Sequence, residues 1–189
     1  MAPTHCHFDH VGNDCTDLIE LSNVEGSRIL GSHELSVWLG ARGKDSIGMN
    51  KGGTVEVAGV RFTMVHADHT GGATLGEGSD QVTRDFGAWG WILEFEDGVT
   101  VYHAGDTDVF GDMALLGDRF KPDVAVLPIG GHYTMGPSGA GMAAGLVRAS
   151  TVIPVHYATF PILTGTPEEL ARHTTAQVVT LEPGDTWGE

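Results

Sequence analysis

Thr4-His5-Cys6-His7-Phe8-Asp9-His10-Val11-Gly12 puts three histidines and a carboxylate within six consecutive positions. If an extended segment ends here, His5 and His7 lie two apart and project to the same side. The turn that follows returns Asp9 and His10 beside them. The pattern His-x-His-x-Asp-His suits two adjacent metal ions, His5 and His7 starting one site and Asp9 and His10 the other. Imidazole nitrogen and carboxylate oxygen with few thiolates favour zinc, with manganese or iron as alternatives, over a structural thiolate site.

Further ligands must come from distant stretches, and candidates stand where apolar runs stop. Val60–Val65 reads as a strand and leads into His66-Ala67-Asp68-His69-Thr70-Gly71-Gly72. Val99–Tyr102 leads into His103-Ala104-Gly105-Asp106-Thr107, and Thr151–Val155 into His156-Tyr157. Loops just beyond strand ends are where metal and catalytic residues are usually carried.

This ordered set resembles the metallo-β-lactamase superfamily. Tyr102-His103-Ala104-Gly105-Asp106-Thr107, Pro128-Ile129-Gly130, Tyr133-Thr134-Met135-Gly136-Pro137 and Pro154-Val155-His156-Tyr157 are similar to one branch of it, the metal-dependent hydrolases related to L-ascorbate-6-phosphate lactonase. The resemblance covers nearly the whole chain and implies an αβ/βα sandwich, two face-to-face sheets with metals at one edge. It also implies a first metal on His5, His7 and His69, a second on Asp9, His10 and His156, and Asp106 bridging the two. In such proteins the opening strands of the first half-sheet precede the metal motif, whereas here the motif starts almost at Met1. The expectation is therefore an N-terminally shortened fold, whose open edge an identical copy covers in a homodimer with Met1–His5 in the interface.

Several neighbours compete for roles. His66 and His69 are three apart on an extended segment and point to opposite sides; His69, followed by Thr70-Gly71, matches the family position. His103 reads as a donor that orients a ligand. His132 and Tyr133, in the loop after the Val124–Ile129 strand, either face the substrate or only stabilise their loop. His33 and His173 receive no role. Asp9, Asp106 and His132 are the catalytic candidates. Asp106 is required because a carboxylate offers two oxygens to two ions, which a neutral imidazole cannot.

The chain has 189 residues, 41% hydrophobic and 19% charged, as expected for one folded domain spanning residues 1–189. The net charge of −15, from 25 acidic and 10 basic residues, disfavours a nucleic-acid surface. Cys6 and Cys15 make no disulfide framework; Cys6, between two expected ligands, reads as a buried small side chain in preference to a further ligand or a redox handle. No apolar run reaches membrane-spanning length and no signal-peptide pattern opens the chain, so a cytoplasmic location is expected.

In chain order, the pattern predicts a helix over Asp14–Val24, a strand over Ser27–Leu30, and a helix over His33–Ala41 capped by Ser32. A hairpin follows, Thr54–Val57 with Val60–Val65. The glycine-punctuated stretch Asp68–Phe86 reads as a long loop and candidate lid. Ala88–Phe95 pairs with Val99–Tyr102, with Trp89 and Trp91 on one face that either packs in the core, the favoured reading, or is exposed to the site or a partner. Asp108–Phe120 reads as a helix interrupted by Gly111 and Gly117. Val124–Ile129, a helix from Pro137 to about Arg148, Thr151–Val155, a helix over Pro167–His173 and a strand over Gln177–Leu181 complete an α/β protein.

The expected activity is hydrolysis of a small ester, lactone or phosphoester by a hydroxide shared between two divalent ions about 3.5–4 Å apart. Other readings are a non-catalytic metal-binding or structural protein and, within enzymes, a β-lactamase or nuclease.

Overall fold

Two strands of the computed structural model, which describes residues 1–188, show why the sheet is covered on both sides. In β7 (Trp89–Glu94), Trp89, Trp91 and Leu93 join one apolar cluster while Ile92 joins another. β4 (Val60–His66) sends Phe62 and Met64 to the first side and Val65 to the second. Side chains alternate along a strand, so a strand apolar at both parities must be buried on both faces.

Both strands belong to a seven-stranded mixed sheet. Its members in chain order are β3 (Thr54–Val57), β4, β7, β8 (Thr100–His103), β9 (Val124–Pro128), β10 (Thr151–Val155) and β11 (Gln177–Val178), and its spatial order is β11-β10-β9-β8-β7-β4-β3. β8, β9, β10 and β11 run parallel; β3, β4, β7 and β8 pair antiparallel in succession. β4, β8, β9 and β10 therefore all end at the same edge, and the histidine-bearing loops leave from that edge.

Over the first face lie β1 (Ile29–Ser32) and β2 (Ser46–Met49), paired in parallel, with α3 (His33–Gly40) connecting them. Ser32 caps α3, its hydroxyl accepting from Leu35 N–H at 3.2 Å. Leu35, Trp38 and Leu39 of α3 then pack with Trp89 and Trp91. Each buried tryptophan contributes on the order of 5 kcal/mol of transfer free energy. Met1 C=O accepts from Leu30 N–H at 2.8 Å, laying the leading segment beside β1.

The second face carries α4 (Met113–Phe120), α5 (Pro137–Val147) and α6 (Pro167–Leu170). Met113, Ala140, Ala143, Ala144, Val147 and Leu170 pack with Tyr102, Ala125, Leu127 and Val152. Gly117, read in the sequence as an interruption, is where α4 meets α5: a Cβ there would stand 2.7 Å from the carbonyls of Leu146 and Val147.

Other expectations are corrected. The Asp68–Phe86 stretch holds a hairpin, β5 (Gly72–Leu75) with β6 (Val82–Asp85), whose short glycine-flanked strands lack the length that signals pairing. The expected helix at Asp14–Val24 is shorter, because Asp14 and Cys15 adopt left-handed backbone (φ 54° and 57°); α1 (Phe8–Val11) precedes them and α2 (Thr16–Leu21) follows. β2 went unseen, since Ser46-Ile47-Gly48-Met49 has neither alternation nor a run of branched residues. The helix expected over Pro167–His173 stops at Leu170, and the last strand keeps only Gln177–Val178. Among the described residues no helix is long and apolar enough to cross a membrane.

Candidate metal centre

Residues 1–4 reach the site pinned to β7. Trp89 N–H donates to Thr4 C=O and the Trp91 indole N–H to Pro3 C=O, both at 2.9 Å. At His7 the chain is still extended; α1 then turns it back, with His10 N–H donating to His7 C=O at 3.0 Å. Asp9 and His10 thereby return beside His5 and His7, as the spacing predicts. Cys6, on the opposite parity, is 1% exposed and packs with Cys15 in the tryptophan cluster, away from the site.

His5 is fully buried. Thr4 Oγ1 lies 3.2 Å from its Nδ1, leaving Nε2 to face the cluster, 3.1 Å from His7 Nδ1. Asp106, 5% exposed, is the centre. Its Oδ2 stands 3.1 Å from His156 Nε2, 3.5 Å from His10 Nε2, and 3.8 Å from Nε2 of both His5 and His69. Asp9 Oδ2 is 3.5 Å from His156 Nε2 and 3.6 Å from His10 Nε2. Three triads result, each with ligand atoms within 4.8 Å of one another: His5, His7, His69; His5, His10, Asp106; and Asp9, His10, His156.

The loops hold one another in place. The buried Thr107 hydroxyl accepts from Asp68 N–H at 2.9 Å and donates to Asp108 C=O at 2.6 Å, while Asp108 N–H donates to Asp68 C=O at 3.1 Å. This ties the segment carrying His69 to the one carrying Asp106. His103 Nδ1 accepts from Gly105 N–H at 3.1 Å, shaping the turn before Asp106 rather than donating to a ligand. His156 takes left-handed backbone (φ 56°), and its carbonyl lies against Gly130, where a Cβ would sit 2.2 Å away; only glycine allows that approach.

Charge in the cluster is uneven. Burial pushes His5 down to about 3, helped by the neighbouring His10. Burial also lowers His69 and His103. Hydrogen bonds to Asp106 and then Asp9 push His156 up to about 10. Burial alone would raise Asp106, but His10 and His156 outweigh it and hold the carboxyl well below the usual carboxylate range. Without metal, then, a proton on His156 offsets the two carboxylates.

The residues fit divalent metal. His69 Nε2 and His156 Nδ1 are buried without a hydrogen-bond partner, and His69 Nε2 is one of the atoms facing Asp106. Five imidazoles and two carboxylates converge with no thiolate, a donor set for zinc, manganese or iron.

All seven residues expected as ligands come together: His5, His7, Asp9, His10, His69, Asp106 and His156. His66 does not join them; it is exposed at the end of β4, its Nδ1 3.2 Å from Lys51 Nζ and its ring against Phe110. His132 is also outside the triads, exposed and left-handed (φ 54°), its ring against Tyr133. Its loop nonetheless borders the site, since Met135 N–H donates to Thr107 C=O at 3.0 Å and Gly130 packs on His156. The positioning roles of Thr4 and Thr107 went unread in the sequence, where only their adjacency to His5 and Asp106 hinted at them.

The profile of the Beta-lactamase superfamily domain matches residues 3–157. A UPF0173 metal-dependent hydrolase of Koribacter versatilis is 42% identical over 189 aligned positions, covering 99% of this chain and 78% of that protein. One from Methanosarcina mazei is 40% identical, with 98% and 79% covered. Among solved structures, Igni18, a metallo hydrolase from the hyperthermophilic archaeon Ignicoccus hospitalis, superposes with a TM-score of 0.80 at 35% identity, covering 97% of this chain and 76% of that one.

Proposed function

The chain belongs to the metallo-β-lactamase superfamily, among the UPF0173 metal-dependent hydrolases, and from that premise we propose a dinuclear hydrolase of small esters, lactones or phosphoesters. The observation that carries the second ion is the convergence of separate triads on Asp106. His5, His7 and His69 would hold one ion, Asp9, His10 and His156 the other, and Asp106 would reach both. Zinc suits the donor set best, with manganese or iron next. When bound, such ions polarise the scissile group and supply a nucleophile at neutral pH.

The protein's own groups do the remainder. Asp9 and Asp106 offset the positive charge. Thr4 and His103 fix the orientation of His5 and of the Asp106 turn. His132, exposed on a loop that borders Asp106 and His156, delivers a proton to the leaving oxygen. The acidic surface argues against a polyanionic substrate such as RNA.

The test is metal analysis alongside a panel of ester, lactone, phosphomonoester and phosphodiester substrates. Two ions per chain with turnover of at least one class is expected. A single ion per chain at full activity would sink the dinuclear reading, and an inert, fully loaded protein the substrate reading.

A further inference from the structure

His5 and His7 leave one side of an extended segment, where Cα atoms two residues apart stand about 7 Å from each other. Two imidazoles from such positions meet at one point by offering different nitrogens, one from the far end of its ring and one from nearer the backbone. That is the arrangement found. His5 turns Nε2 inward and His7 turns Nδ1 inward, 3.1 Å apart. Each outer nitrogen then lies against a threonine: His5 Nδ1 is 3.2 Å from Thr4 Oγ1, and His7 Nε2 is 3.4 Å from Thr70 Oγ1. The result is one continuous chain, Thr4–His5–His7–Thr70.

A neutral imidazole has one N–H and one lone pair. In the metal-free pair the two inner nitrogens share a single hydrogen, so only one ring presents a lone pair inward. An ion on the His5, His7, His69 triad needs both. Both hydrogens must then sit on the outer nitrogens, and both threonine hydroxyls must accept. The bond made by one ring nitrogen thereby sets what the other can do. Thr4 is buried and its part follows from its contact with His5. Thr70 comes from the other side of the site, 63 positions along the chain, and directly follows His69. Its backbone is held: Gly71 C=O accepts from Phe86 N–H at 3.4 Å, and a Cβ on Gly71 would run into the Gly87 carbonyl.

We propose that Thr70 is a positioning residue whose hydroxyl accepts the Nε2–H of His7 and so holds the tautomer with its Nδ1 lone pair turned to the first ion. The segment that brings His69 to the triad thus also fixes His7, and two ligands far apart in sequence are set by one short stretch. The proposal takes from the hydrolase reading only that an ion occupies this triad.

The test measures zinc affinity by competition with a chromogenic chelator in wild type, Thr70→Val and Thr70→Ser. Valine keeps the volume and removes the acceptor, whereas serine keeps the acceptor. Thr70→Val should weaken zinc about tenfold, as loss of an outer partner does, and Thr70→Ser should stay within about twofold of wild type. The urea midpoint of the metal-free protein should not move in either variant, because Thr70 is exposed. In zinc-loaded, ¹⁵N-labelled wild type, the ring resonances of His7 should show its hydrogen on Nε2. Unchanged zinc affinity in Thr70→Val, an equal loss in Thr70→Ser, a metal-free midpoint that falls with the affinity, or a His7 hydrogen on Nδ1 in the loaded protein would overturn the proposal. These readouts need neither turnover nor a second ion. A chain that meets them while holding one zinc or hydrolysing nothing overturns the dinuclear or hydrolytic reading alone.

Discussion

His156 Nε2 stands 3.1 Å from Asp106 Oδ2, the shortest of four imidazole approaches to that one oxygen. The pair holds a proton that a metal must displace. With the His156 pKa raised from 6.5 to about 10, its stabilisation of the metal-free fold is complete below 6.5 and lost as pH rises through about 10. Metal needs the neutral imidazole, so metal affinity should climb with pH over that window. Calorimetry in buffers of different ionisation enthalpy should show proton release on zinc binding at neutral pH. Zinc uptake with no proton release there would refute the pair.

Asp106→Ala should lower turnover by more than about a hundredfold, beyond what loss of an outer partner costs. It should also reduce bound metal, read by elemental analysis. Wild-type rates in a fully loaded variant would remove Asp106 from its central place.

His66 and His69 separate by function. His69→Ala should lose metal, whereas His66→Ala should retain it, because His66 meets Lys51 and Phe110 instead. Equal metal loss in the two variants would contradict the assignment.

Thr107→Val keeps the volume and removes the hydroxyl that Asp68 N–H donates to. The partly buried amide left without its acceptor should cost about 1–3 kcal/mol. A urea midpoint shifted at constant slope, with weakened metal binding, is the expected result. Lower stability with metal affinity intact would show that Thr107 supports the fold without positioning His69.

β5 sends Ala73 and Leu75 into the tryptophan cluster, whereas every residue of its partner strand β6 is exposed. Limited proteolysis should cut first at the tip of this hairpin, around Gly76–Gln81, and a bound substrate should slow that cut. Cleavage elsewhere, indifferent to ligand, would make the hairpin an ordinary projection.

Much of the site was legible because its residues are chemically rare and closely spaced. His5, His7, Asp9 and His10 announce themselves in one stretch, and His156 directly follows an apolar run that reads as a strand. The αβ/βα layering, expected from the family resemblance, has its physical cause in the two-sided burial of β4 and β7. What escaped was decided by contacts across the fold. The Thr107 bond to Asp68 links residues 39 positions apart and leaves no local trace. The β5–β6 hairpin and β2 are too short to carry a period. Asp14 and Cys15 are left-handed although neither is glycine, so the break in the predicted helix has no compositional sign.

Cys6 faces the hydrophobic cluster while His5 and His7, on either side of it, face the metal centre. That segment is thus a partition wall shared by two rooms, and neither can be refurnished alone. A larger side chain at the Cys15 position would push on Cys6, and a close-packed interior yields by moving backbone. The movement would reach both imidazoles at once. Sequence drift in this wholly apolar layer is therefore bounded by the tolerance of ligand geometry, and conservative core substitutions there should act as site mutations in disguise.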